Sequence, residues 1–151
     1  MSESVEVKAH YTIGETFVKE MCFTKADTRN FSEFIGDSNP LHLDEDYARK
    51  SRFGGLIVAG AHTAGAMAAF TATFTTARTT NNVGLEIAFR FRRAVMADEK
   101  LRCEWKVAAI EDKPKMNGYI VTFEGALYNA AGEAAVTGQT RTLVFYEQPA
   151  G

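Results

Sequence analysis

Between Phe53 and Ala77 the chain contains no Lys, Arg, Asp or Glu, and this uncharged stretch constrains the fold more than any other. It is long enough to cross a bilayer. Yet it carries Gly54, Gly55, Gly60 and Gly65, His62, and Thr63, Thr71, Thr73, Thr75 and Thr76, with few strong apolar residues between its alanines. That composition favours a buried helix of a soluble domain over a membrane span. Leu56-Ile57-Val58 is a short apolar lead-in, and the spacing predicts a helix from about Ala61 to about Thr75. Ala61, Ala64, Gly65, Ala66, Ala68, Ala69 and Ala72 make it small on every side. A helix without a polar face belongs in an interior, and small side chains let a sheet come close. It is read as a central helix; the runner-up is a helix buried in a dimer interface.

What can surround such a helix follows it in the chain. From Val83 the apolar period becomes two. Leu85, Ile87, Phe89 and Phe91 alternate with Glu86, Ala88, Arg90 and Arg92, and Leu101, Cys103, Trp105 and Val107 alternate with Arg102, Glu104 and Lys106. Tyr119–Tyr128 and Ala134–Tyr146 read as two more long strands joined by the turn Asn129-Ala130-Ala131-Gly132, with Lys113-Pro114-Lys115 and Asn117-Gly118 linking the middle pair. Trp105 and these phenylalanines are read as core. Ahead of the central helix, Thr16–Phe23 reads as a strand. A helix Lys25–Ile35 follows, capped by Thr24 with Asp27 in its first turn. Phe31, Phe34 and Ile35 form its expected inner stripe, and Gly36 ends it. Asp44 caps a short helix Glu45–Lys50 with Tyr47 and Ala48 turned inward. The class is α+β, with one strongly bent antiparallel sheet wrapped around a helix.

At 151 residues the chain reads as one domain, 1–151. A net charge of −2 gives no field that argues for nucleic acid or an anionic membrane. Met1–His10 mixes Glu and Lys with Val and reads as no secretory signal. Cys22 and Cys103 have no metal-ligand spacing and read as free thiols of a reducing compartment, hence a cytoplasmic location. No metal or redox cofactor is implied.

The densest chemistry lies in Gly36-Asp37-Ser38-Asn39-Pro40-Leu41-His42-Leu43-Asp44. Asp37 and His42 are five apart, and on one continuous helix they would face different ways. Pro40 removes a backbone donor and pushes Asn39 toward extended geometry, so a bent loop can aim both at one point. A carboxylate and an imidazole converging there can hold and deprotonate one water. Asp, Ser, Asn and Pro are also ordinary turn residues. A second element adds weight. Gly60 opens the buried helix, where backbone N–H groups have no helical partner and the helix end suits a developing oxyanion. A glycine there admits a substrate close to the backbone; it also simply eases the turn.

These residues resemble the MaoC-like hydratases and dehydratases, and most nearly the (R)-specific enoyl-CoA hydratases. The resemblance rests on residues 36–44, the following Tyr47-Ala48, and Phe53-Gly54-Gly55-Leu56-Ile57-Val58-Ala59-Gly60. It implies a hotdog fold, a homodimer and an acyl thioester substrate, with coenzyme A entering only as part of that substrate. It implies Asp37 and His42 as the catalytic pair and the Gly60 amide as donor to the thioester carbonyl. Asn39, as a loop brace whose amide orients Asp37, is placed with Ala59 and His62 on the substrate side. Relatives commonly have His where Ala59 stands, and here His62 follows the glycine instead; in the first turn of a buried helix it reads more readily as a core histidine than as a catalytic one. Arg90, Arg92, Arg93, Lys113, Lys115 and Arg141 suit phosphate contacts or solvated sheet faces. The implied reaction is reversible hydration of a trans-2-enoyl-CoA to the (R)-3-hydroxyacyl-CoA. The alternatives are an acyl-carrier-protein dehydratase, an acyl-thioester-binding protein without turnover, and a thioesterase.

Overall fold

A computed structural model describes residues 10–147; Met1–Ala9, nearly all of the stretch read as no secretory signal, lie outside them. Strand β1 (Thr16–Met21) leads to α1 (Lys25–Ile35), the one-turn α2 (Pro40–Leu43), α3 (Glu45–Arg49) and the long α4 (Gly60–Thr76). Four strands follow: β2 (Asn82–Phe91), β3 (Leu101–Lys113), β4 (Gly118–Tyr128) and β5 (Ala134–Phe145). They form one antiparallel five-stranded sheet of order β1-β3-β4-β5-β2. β3, β4 and β5 follow one another by short connections, as their two-residue period predicts. β1 and β2 then take opposite edges, on β3 and β5.

The alternation in β3 is read correctly. Leu101, Cys103, Trp105 and Val107 are all buried, and they meet Met67, Phe123, Leu127 and Val136 in the core under α4. The Trp105 indole Nε1–H donates to the Met67 carbonyl of α4 at 3.1 Å, a buried bond that ties sheet to helix. Cys22 and Cys103 are free; burial pushes the Cys103 thiol up to about 12.

Four expectations are corrected. β2 does not contribute a full inner face: its register shifts between Gly84 and Glu86, and Leu85, Ile87 and Phe91 are exposed, leaving only Phe89 packed against the core. It is an edge strand. α1 also turns by one position. Its buried residues are Thr28 and Ser32, while Phe34 is 88% exposed and Ile35 is also exposed. Of the pair on α3, Ala48 is buried and Tyr47 is not. Finally, α4 is covered on one side only. Thr63, Ala64, Met67, Thr71 and Thr75 face the sheet, whereas Ala61, Gly65, Ala69 and Ala72 remain exposed. None of the described helices is long and apolar enough to cross a membrane.

Because Trp105 supplies both packing and a side-chain bond from the sheet to the backbone of α4, its two contributions are separable. Trp105→Phe is expected to lower unfolding stability by about 1 kcal/mol through the lost hydrogen bond. Trp105→Ala is expected to cost about 3–5 kcal/mol through the cavity. Urea unfolding curves at constant m-value measure both.

Candidate active site

The local sequence explains how the Asp37–His42 segment bends. Thr24 and Asp27 form the reciprocal capping box at the start of α1. Gly36 ends the helix in the left-handed conformation at φ 78°, which a residue with a Cβ rarely adopts. The Asp37 amide still donates to the Ser32 carbonyl at 2.8 Å, so the carboxylate is anchored to the end of α1. Pro40 then does not leave an open loop. It occupies the first position of α2, where its missing donor costs nothing, and the Asn39 side chain caps that turn by accepting from the Leu41 amide at 3.0 Å. His42 is therefore carried on a rigid turn.

Its imidazole is oriented from the other side. Nδ1 lies 2.8 Å from the Ile57 carbonyl oxygen. A carbonyl only accepts, so Nδ1 carries the proton and, in the neutral ring, Nε2 is the free acceptor. Ile57 is bonded twice, because its own amide donates to the Leu41 carbonyl at 3.1 Å. The segment 56–58 is held in turn by Met96 and Val95: Ile57 bridges Met96, and the Val58 amide donates to the Val95 carbonyl at 2.8 Å. His42 is only 7% exposed.

His42 Nε2 stands 3.6 Å from Asp37 Oδ2. That is an ion-pair distance for a charged ring, but too long for a direct hydrogen bond; it suits two groups that share one water. The expected meeting of Asp37 and His42 is thus present. The brace differs from expectation: it is the Asn39 backbone amide, not its side chain, that donates to Asp37 Oδ1, at 3.0 Å.

Gly60 is the first residue of α4, and Ala59 is its buried N-cap, with no side-chain bond. The first backbone bonds of the helix run from His62 and Thr63 to the Ala59 carbonyl, at 3.0 and 3.1 Å. The Gly60 and Ala61 amides precede them and have no helical acceptor. A cleft of about 350 Å³ joins His42 and Gly60, with Phe53, Thr63, Phe91, Arg92, Arg93 and Val136 also on its walls. The ring of Phe91 presses so near Gly60 that a Cβ there would stand 2.9 Å from it. Glycine lets the ring come this close to the backbone.

Arg92 and Arg93 reach this cleft; Arg90, Lys113, Lys115 and Arg141 are not among its lining residues. Arg93 pairs with Glu133 at 2.7 Å, and Arg92 donates to the Thr137 hydroxyl at 3.2 Å. His62, expected on the substrate side, is not among the lining residues either. It stacks on Phe31 with ring centroids 4.2 Å apart and planes 7° apart, and Phe23 meets it edge-on at 4.7 Å. Sequence reading missed Phe91 and the Ile57 carbonyl. Phe91 was absorbed into a core alternation, and a main-chain acceptor leaves no signal in a side-chain pattern. Among the described residues, no three His, Cys, Asp or Glu side chains converge as metal ligands would.

A family model described as "MaoC like domain" matches residues 8–125. A curated relative, "3-hydroxybutyryl-CoA dehydratase" of Methylorubrum extorquens, is 37% identical over 57 residues, a stretch covering 38% of this chain and 36% of that protein. The chain thus matches about a third of that relative's length. Among solved structures, the R-hydratase PhaJ1 from Pseudomonas aeruginosa superposes with a TM-score of 0.75 at 26% identity, over 91% of this chain and 84% of that one. An (R)-hydratase from A. caviae involved in PHA biosynthesis shares the fold, with a TM-score of 0.73 at 24% identity over 89% of this chain and 97% of that one.

Burial between Phe23 and Phe31 lowers the pKa of His62 from its ordinary value of 6.5, with Asp27 pulling weakly the other way. A lowered value means that folding favours the neutral ring. This contribution to stability is complete above the ordinary value and is lost as pH falls through the lowered one. On acidification from about pH 7 to about pH 5, the urea midpoint of the wild type should therefore fall more steeply than that of His62→Phe.

Proposed function

We propose that this chain, which belongs to the MaoC-like domain family, hydrates trans-2-enoyl-CoA thioesters to the (R)-3-hydroxyacyl products and catalyses the reverse dehydration. The enzyme is a hydro-lyase with the hotdog architecture. The observation that carries the finer reading is the approach of His42 Nε2 to Asp37 Oδ2 at 3.6 Å beside a cleft shared with the helix-opening Gly60.

In the hydration direction, a water held between His42 Nε2 and the Asp37 carboxylate loses one proton to the pair as its oxygen bonds to C3. The π electrons of the C2–C3 bond move toward the thioester carbonyl, whose oxygen gathers negative charge. The Gly60 N–H, at the positive end of α4, donates to that oxygen. The charge then returns to C2, which takes a proton from the pair, so that one water is added and the site is restored. Both proton transfers are assigned to the pair as a unit. The Ile57 carbonyl keeps the ring in the tautomer that leaves Nε2 facing the water. The addition requires no external electron acceptor, so coenzyme A enters as the carrier of the acyl group. Arg92 and Arg93 at the cleft are the cationic groups nearest to receive its phosphates.

The reading extends to a homodimer. β2 is an edge strand whose Leu85 and Ile87 are exposed, and the outward side of α4 is a row of small residues. An exposed apolar edge of this kind invites pairing with another copy. Ile87→Lys should shift the molecule toward a monomer in sedimentation velocity runs while leaving its far-UV circular dichroism intact. An unchanged sedimentation coefficient would remove β2 from the interface.

Loss of absorbance of crotonyl-CoA tests the activity. Asp37→Asn and His42→Ala should each lower kcat/KM by about 10²–10⁴, with melting temperatures near that of the wild type. Oxidation of the product by an (R)-specific but not an (S)-specific dehydrogenase checks the stereochemistry. Turnover of carrier-protein substrates alone would select the dehydratase alternative, and binding without turnover would overturn the enzyme reading.

A further inference from the structure

α1 carries Asp37 at its end, and α1 is thinly attached to the rest of the molecule. Of its three large apolar residues, Phe34 and Ile35 are exposed, and only Phe31 turns inward. The two fully buried positions, Thr28 and Ser32, are small. What Phe31 meets is the imidazole of His62, face to face at 4.2 Å. Phe23, at the end of the preceding strand, closes the other side edge-on. His62 is the third residue of α4, two after Gly60. One ring thus lies between the helix that bears the carboxylate and the helix end that bears the amide donor.

Nδ1 takes no visible part in this. Nδ1 of His62 is buried and has no hydrogen-bond partner, and the ring is not among the residues lining the cleft. A group that gave or took protons would need an acceptor, a donor or access to substrate, and none is offered at Nδ1. What the site uses is the flat face of the ring.

We propose that His62 is a positioning residue: by stacking on Phe31 it docks α1 against the first turn of α4 and so sets the separation of Asp37 from His42. His42 itself is held independently, through Ile57. Asp37 is held on two sides, by Ser32 of α1 and by the Asn39 amide; loss of the stack loosens the first and leaves His42 and Gly60 in place. This inference rests on the hydratase reading above.

The test compares His62→Ala with His62→Phe, which restores a flat ring without nitrogen atoms, and with Phe31→Ala, which removes the stack from the other side. With crotonyl-CoA, His62→Ala and Phe31→Ala should each lose about 10- to 100-fold in kcat, the scale of a small misplacement, at a KM within about threefold of wild type. His62→Phe should return kcat to within about threefold of the wild-type value. Hydrogen exchange read by mass spectrometry supplies an arm that needs no activity: peptides covering 25–37 should exchange faster in His62→Ala but not in His62→Phe, with 56–60 unchanged. Should His62→Ala fail to fold, Phe31→Ala carries both arms. A phenylalanine variant as slow as the alanine variant, an alanine variant with wild-type kcat, or exchange that rises equally everywhere would each overturn the proposal. If the wild type does not hydrate the thioester, the hydratase reading fails, and the exchange arm alone decides whether His62 docks α1.

Discussion

A helix without a polar face can be held only by what lies against it, and here that is an open sheet on one side. The Trp105 indole reaches across this contact and donates to the Met67 carbonyl, so the helix is fixed both by packing and by a directed bond. Directed bonds matter here because α4 is nearly uniform. With alanine, glycine and threonine around most of its surface, shape alone distinguishes its rotational settings poorly, whereas the indole bond selects one. That setting aims Thr63 and Met67 at the core and leaves the unpaired Gly60 amide at the cleft. The position of an amide that can stabilise charge is thereby decided by a tryptophan well inside the fold.

The second fixed point is Ile57. Its carbonyl accepts from His42 and its amide donates to Leu41, so α2 is locked to the segment that runs directly into α4. His42 and Gly60 consequently belong to one rigid unit, the stretch 56–60 with the turn packed on it. Asp37 joins this unit to the end of α1: its amide donates to Ser32, and its carboxylate accepts from the Asn39 amide that opens α2. The donor and the imidazole thus share a frame, and the carboxylate is held both by that frame, through Asn39, and by α1.

Much of this arrangement is legible in the residues. Thr24 with Asp27 announces the start of α1, and Gly36 its end, because capping is local chemistry between neighbours. The β3 alternation is legible because both its neighbours and the helix bury the same face. The β2 alternation has the same period and misleads, since period says which residues share a face but not whether anything covers it. The α1 stripe fails for a related reason. The large residues Phe31, Phe34 and Ile35 suggest one face, but the helix docks through Thr28, Phe31 and Ser32, where small side chains permit close approach. The Asp37–His42 approach follows from Pro40 and the glycine before it. The Ile57 acceptor does not, because every residue has a carbonyl and only the assembled chain shows which one is used.

Burial at the pair shows why the two carboxylate-bearing and imidazole-bearing units need each other. His42 is almost wholly enclosed, and an enclosed ring that gains a proton loses the solvation that would stabilise it. With Nδ1–H already committed to a neutral carbonyl, the group facing Nε2 is the Asp37 carboxylate, itself partly open to solvent. At short range and in a medium of low polarisability, the carboxylate replaces the missing water. The docking of α1 and the surroundings of His42 Nε2 are therefore not independent properties. The stacking of Phe31 on His62, remote from the reacting atoms, enters the chemistry through that dependence.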